Sequence, residues 1–278
     1  ALAFTRTPLE TALGALTLDR LSGGRMVLGL GTSTRHVNEA FHGVEYGDPI
    51  ARLGETVRLV RAIIERAHGG ELGELQGAGY RMDLRGLFAP PPVRSTIPIL
   101  LAPLFRKTVD LAAEVGDGIV GHPIWTPHWM TKEVAPRIAA SLSRRGRARG
   151  EFEVNLWVYC LVHADRRKAL EDARGVAAFY AGVSQYQKYF AAHGFGREAT
   201  TIAEATERGD RAAALAATPV EMGTTFVAAG APEEVRDWVA KVAAVADSVT
   251  LVAPHTVDPQ SAVAYRRAIL ETFLPGRG

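Results

Sequence analysis

Short apolar runs alternate with amphipathic helical stretches along almost the whole chain, and this alternation constrains the fold more than any other feature. "RMVLGLG" follows a helix opened by Thr7-Pro8, and "TIPILLA" leads into "RKTVDLAAEVG". "DGIVG" precedes "TPHWMTKEVAPRIAASLSRRG", and "EFEVNLWVYCLV" precedes "DRRKALEDARGVAAFYA". "PEEVRDWVAKVAAVA", "DSVTLVA" and "PQSAVAYRRAILETFLP" close the series. Strands separated by helices pair in parallel, because each return to the same edge of a sheet needs a crossover. The pattern therefore predicts an α/β fold, a parallel sheet covered by helices. Six strands are expected, near residues 1–4, 25–31, 97–102, 117–121, 152–162 and 247–253. A closed barrel needs eight, and the other two would have to precede residue 1. The competing open, doubly wound sheet calls for a third glycine opening a helix after Gly29 and Gly31, and none is there.

Helix boundaries are marked by chemistry as well as by period. Thr7 before Pro8, with Glu10 in the first turn, reads as an N-cap, and "LSGG" ends that helix. A second helix spans residues 49–66, where Leu53, Val57, Val60 and Ile64 recur at helical spacing. Residues 69–96, with "AGYRMDL" as a hairpin strand, and the helical residues 182–222 read as insertions in one domain over 1–278. An apolar content of 47% in 278 residues suits a sizeable core, and a net charge of +2 leaves no nucleic-acid footprint. The single cysteine, Cys160, lies in an apolar run, which argues for a reducing, cytoplasmic setting. No apolar stretch has the length needed to cross a bilayer.

"TLDRLSGGRMVLGLGTS", "PILLAPLFRKTVDLAAEVGDGIV" and the helix carrying Arg52, Glu55, Val57, Arg61 and Ala62 together resemble the bacterial luciferase-like monooxygenase family. Within it they resemble the actinobacterial oxidoreductases that use the deazaflavin coenzyme F-420. The resemblance implies a TIM-type (β/α)8 barrel with the cofactor in the mouth at the C-terminal strand ends. It also aligns "ALAFTRTP" with the end of the third strand, so two βα units are expected upstream. The implied chemistry is hydride transfer between coenzyme F-420 and a small organic substrate. A reduced-FMN monooxygenase, or a catalytically silent flavin-binding protein, is the alternative. Similar proteins form homodimers, which sets the expected assembly; neither a membrane nor a nucleic acid is an expected partner.

The resemblance places cofactor contacts at Gly31 and Asn38. Gly31 lets a planar ring approach the backbone, and Thr32, Ser33 and Asn38 carry groups that can bond its carbonyl edge. His36, a titratable side chain in that loop, is the candidate for proton transfer; otherwise the catalytic group is unassigned and expected upstream. In relatives the turn at residues 102–107 cradles the cofactor phosphate through main-chain amides, which nominates Ala102, Leu104, Phe105, Arg106 and Lys107. Phe105-Arg106 stands where Gly-Pro is common, so the cradle is expected to be reshaped, with Arg106 as a direct phosphate ligand. His122 and Trp125 follow a strand end and are candidates for the substrate pocket; Tyr186 and Phe190, which share a helical face, read as core, lid or subunit-contact residues, with substrate contact as the alternative. No third ligand joins His122 and His128, so no metal is expected. Asp117, at the opposite end of its strand, reads as structural.

Overall fold

A computed structural model describes residues 1–77 and 79–274. In chain order the elements are α1 (Pro8–Leu21), β1 (Leu28–Leu30), α2 (Pro49–Arg66), β2 (Glu74–Gln76), β3 (Arg81–Asp83), β4 (Ile99–Leu101), α3 (Arg106–Val115) and β5 (Gly118–Gly121). The short α4 (Pro127–Trp129), α5 (Ala135–Ser143), β6 (Glu153–Val162) and α6 (Arg166–Ala181) follow. Then come α7 (Gln187–Ala192), α8 (Gly196–Glu207), α9 (Arg211–Ala216), α10 (Val220–Phe226), β7 (Ala228–Gly230), α11 (Pro232–Ala243), β8 (Ser248–Val252) and α12 (Pro259–Phe273). No helix among the described residues is long and apolar enough to cross a membrane.

The chain divides into two compact units, residues 1–121 with 133–155, and residues 122–132 with 156–274 of the described chain. In the first, β1, β4 and β5 pair in parallel, Leu30 against Leu101 and Leu101 against Ile119. Helices α1, α2, α3 and α5 pack in sequence around them. The Thr7 cap of α1 and the apolar period of α2 act as read from sequence, and Asp48 adds a cap that was not anticipated. Thr7 Oγ1 accepts from Glu10 N at 3.1 Å while Glu10 Oε2 accepts from Thr7 N, and Asp48 caps α2 through Ile50 and Ala51. In the second unit β6 pairs in parallel with β7, Cys160 against Ala228. There α6 packs on α10, and Phe190 meets both Tyr189 and Phe226 edge to face in the core.

Three details depart from the expected elements. Residues 1–4 form a single bridge, Leu2 to Gly31, and no longer strand. The hairpin within residues 69–96 pairs β3 with β2, whose "ELQ" is too short and polar to show a strand period. The strand β7 was not anticipated, because "AAG" lacks the β-branched and aromatic residues that mark strands.

The first part of "TLDRLSGGRMVLGLGTS" turns out to serve the fold. Asp19, only 1% exposed, accepts from Met26 N at 3.1 Å and from Arg94 Nη2 at 2.7 Å, and Arg94 also donates to the Met26 carbonyl. Gly23 and Gly24, with φ of 65° and 79°, turn the chain between α1 and that anchor. Asp117 is held likewise: its Oδ2 accepts from Ile99 N at 2.8 Å and from Arg61 at 2.9 Å, locking the starts of β4 and β5. Arg94→Ala leaves the Asp19 carboxylate buried without its cation. Urea unfolding is expected to show a loss of about 3 kcal/mol, and a loss below about 1 kcal/mol would contradict the anchoring role.

Candidate functional site

In the first unit three chain segments end side by side. Gly31 N donates to Ala1 O at 3.1 Å, Ala3 N donates to Gly31 O at 2.9 Å, and Ala102 N donates to Leu30 O at 2.8 Å. A Cβ at Gly31 would stand 3.2 Å from the Cβ of Ala102, so a larger side chain there has to push the tips apart. Ala102 itself is exposed, and the two small residues leave an open shelf at the strand ends.

The loop beyond Gly31 is held in a defined shape. Ser33 has φ 55°, a left-handed conformation that a serine adopts only under constraint. The constraint is visible: Asn38 Nδ2 donates to the carbonyls of Thr32 at 2.9 Å and Thr34 at 2.8 Å, and Tyr46 OH donates to the Ser33 carbonyl at 2.9 Å. Asn38 is fully buried inside a π-turn, Val37–Phe41, and its Oδ1 has no partner among the described residues. It therefore shapes the loop from beneath and, as folded, does not reach a ligand on the shelf. The N–H groups of Thr32 and Ser33 meet no protein acceptor among the described residues, and both side chains are partly exposed. His36 points to solvent and packs edge-on against the exposed Phe41, ring centres 5.0 Å apart.

At the start of α3 the expected amide cradle is occupied by the chain itself. Thr108 Oγ1 accepts from Leu104 N at 3.0 Å and Phe105 N at 3.1 Å, and donates to Phe105 O at 2.8 Å. One hydroxyl has two lone pairs and one proton, so Thr108 is saturated. An anion at these two amides would have to displace it. Arg106 Nε is paired with Glu133 at 2.7 Å, which raises the guanidinium pKa and holds the side chain away from a free phosphate role. Lys107 is exposed and has no ion-pair partner among the described residues.

The second unit carries a different set of groups. His122 comes directly after β5; its Nδ1 lies 3.5 Å from Ile124 N and its Nε2 shares a hydrogen bond with Tyr186 OH at 3.1 Å. Burial lowers its pKa to about 3, leaving the ring neutral. Trp125 is 2% exposed, a wall of the core more than of an open pocket. Tyr159 OH bonds both Tyr180 OH at 2.9 Å and His255 Nδ1 at 3.0 Å. Burial raises the pKa of Tyr159 and Tyr180, and pushes Tyr186 up to about 12. Sequence reasoning passed over Tyr159 and His255: one sits in an apolar run, the other in a loop, and no spacing links them.

Residues 1–248 match the family profile described as luciferase-like monooxygenase. The chain belongs to that family. Its fold is therefore the TIM-type barrel fold of the luciferase-like group. A Mycobacterium tuberculosis protein provisionally named a coenzyme F-420-dependent oxidoreductase is 33% identical over 64% of this chain and 53% of its own length. The 5,10-methylenetetrahydromethanopterin reductase of Archaeoglobus fulgidus is 30% identical over 82% of this chain and 67% of its own. The solved coenzyme F-420-dependent tetrahydromethanopterin reductase of Methanopyrus kandleri superposes with TM-score 0.78 at 23% identity, covering 98% of this chain and 80% of that one. Monooxygenases are also among solved structures of this fold. The chain spans little more than half the length of its mycobacterial relatives, 59% and 53% of two of them.

The depressed pKa of His122 has a consequence for stability. Below the unfolded value of 6.5 the unfolded chain binds a proton that the folded chain refuses, so stability falls as pH drops from 6.5 toward about 3. The slope for one such group is about 1.4 kcal/mol per pH unit. Urea titrations at pH 7 and pH 5 are expected to show a loss about 2 kcal/mol larger for the native protein than for His122→Gln; equal losses would contradict the neutral, buried imidazole.

Proposed function

We propose that the chain belongs to an oxidoreductase that passes a hydride between coenzyme F-420 and a small organic substrate. The observation that carries this reading is the Gly31–Ala102 shelf, flanked by the donors of Thr32 and Ser33 and by the unpaired Lys107. A flat ring suits two side-chain-poor strand tips, a ring carbonyl edge suits the two backbone N–H groups and the Ser33 hydroxyl, and a phosphate suits an exposed ammonium. The names of the mycobacterial and archaeal relatives support the deazaflavin as the ring in question. When bound, it supplies a hydride-accepting carbon with little tendency to react with oxygen. This chain's share is to present the shelf, to fix the Thr32–Ser33 loop through Asn38 and Tyr46, and to hold the phosphate end at Lys107. Arg106 and the amides of Leu104 and Phe105 join only if Glu133 and Thr108 release them.

A second reading, a monooxygenase using reduced FMN, draws on the solved monooxygenases of this fold, whose low identity supports the fold alone. Equilibrium dialysis separates the two. The protein is expected to retain coenzyme F-420 in preference to FMN, and to leave oxygen consumption by chemically reduced FMN unchanged. Retention of FMN with accelerated oxygen uptake would favour the monooxygenase, and retention of neither would remove both readings. Lys107→Ala is expected to weaken coenzyme F-420 binding about tenfold, the worth of one charge-assisted contact, without changing the thermal midpoint. Unaltered affinity would take Lys107 out of the site.

A further inference from the structure

The phosphate end of the shelf carries an ion pair whose purpose the reading above leaves open. Arg106 and Lys107 open α3, and Glu133, just before α5, lies against Arg106 with Oε2 2.7 Å from Nε. All three residues belong to the first unit. Arg106 and Glu133 are both accessible, their side chains 55% and 31% exposed. A seat that needed only positive charge would leave Arg106 to the ligand. Here a carboxylate of the chain itself holds it.

The side-chain charges at this turn are two positive, Arg106 and Lys107, and one negative, Glu133, a net of one positive charge. One turn along α3, Asp110 accepts from Arg137 of α5 at 2.7 Å, so that pair cancels itself. From α2, Arg58 reaches α3 beside Gly54 and Leu111, more than a turn farther on. The amides of Leu104 and Phe105 add nothing, since Thr108 Oγ1 already accepts from both.

A phosphodiester carries one negative charge at neutral pH. A phosphomonoester carries nearly two, its second proton leaving at about pH 6. Attraction to a fixed cation grows in proportion to the ligand's charge, whereas the cost of leaving water grows with its square. A seat with one net positive charge therefore neutralises a diester and leaves a monoester with one charge unmatched. Coenzyme F-420 holds its phosphate as a diester, and FMN holds its phosphate as a monoester.

We infer that Glu133, by holding Arg106, sets the charge of this seat to match a phosphodiester and is thereby the residue that selects coenzyme F-420 over FMN; the inference rests on the reading above. Arg106 takes part as the group through which Glu133 acts, and Lys107 supplies the contact.

Two probes share the deazaflavin ring and differ only in the phosphate: a plain 5′-phosphate and the methyl diester of that phosphate. Calorimetric titration of the intact protein gives their affinities. At pH 8 native protein is expected to bind the diester about tenfold more tightly, the worth of one unmatched charge-assisted contact. Changing one protein charge beside the phosphate shifts that preference about threefold, to roughly threefold in Glu133→Gln and roughly thirtyfold in Arg106→Ala. At pH 5 the monoester has regained its proton, and the native preference should approach unity; the shared ring cancels from the ratio. An ion pair that only fastened α3 to the segment before α5 would lower the thermal midpoint in both variants and leave the ratio alone. Equal binding of the two probes at pH 8, or one ratio in all three proteins, overturns the charge selection and leaves the deazaflavin reading standing. The pH comparison needs native protein alone, so it decides even where a variant does not fold: a ratio unchanged between pH 8 and pH 5 overturns the selection. Diester that fails to bind where coenzyme F-420 binds overturns it too. Failure of coenzyme F-420 itself to bind removes the reading beneath it.

Discussion

Parallel pairing of β1, β4 and β5 is the constraint on which the rest of the first unit depends. Its register sets Leu30 against Leu101 and Leu101 against Ile119, so the C-terminal ends of these strands share one edge. Parallel strands need helices to carry the chain back, which is why α2 and α3 separate them in sequence. The same geometry brings Gly31 and Ala102 together and sends the loops after them out from one side. Small residues at both tips are what the close approach demands, and an open shelf is its result.

Several features that look functional in the sequence serve that scaffold. Asp19, Gly23, Gly24 and Arg94 fasten α1 to the start of β1, at the opposite end of that strand from Gly31. Asp117 and Arg61 fasten the opposite ends of the strands. At α3, Thr108 satisfies amides that a phosphate cradle would need, and Glu133 takes up Arg106. Under the proposed function, binding at the first unit's shelf falls to few groups, chiefly Thr32, Ser33 and Lys107, with Asn38 and Tyr46 setting the geometry of the loop.

Helices and their starts were legible because their signals are local. Thr7-Pro8, Asp48-Pro49 and Asp258-Pro259 each pair an N-cap with a proline, and each opens a helix. Buried strands were legible as apolar runs. The strand β7 was not, since alanine and glycine carry no strand period. The adjacency of the Gly31 and Ala102 tips followed from strand ends in a parallel sheet. Burial of Asn38 could not be foreseen from a polar neighbourhood, because its partners are backbone carbonyls that leave no trace in sequence. The Tyr159–His255 contact joins residues 96 positions apart, beyond the reach of any spacing argument.

The central claim, that the tips around Thr32 and Lys107 hold a phosphorylated tricyclic ring, is tested most directly by amide NMR of the labelled protein during titration with coenzyme F-420. The account predicts saturable shifts concentrated at Gly31, Thr32, Ser33, Ala102 and Lys107, and their loss in Gly31→Val. Saturation with shifts confined to other parts of the chain, or an undiminished response in Gly31→Val, would contradict it.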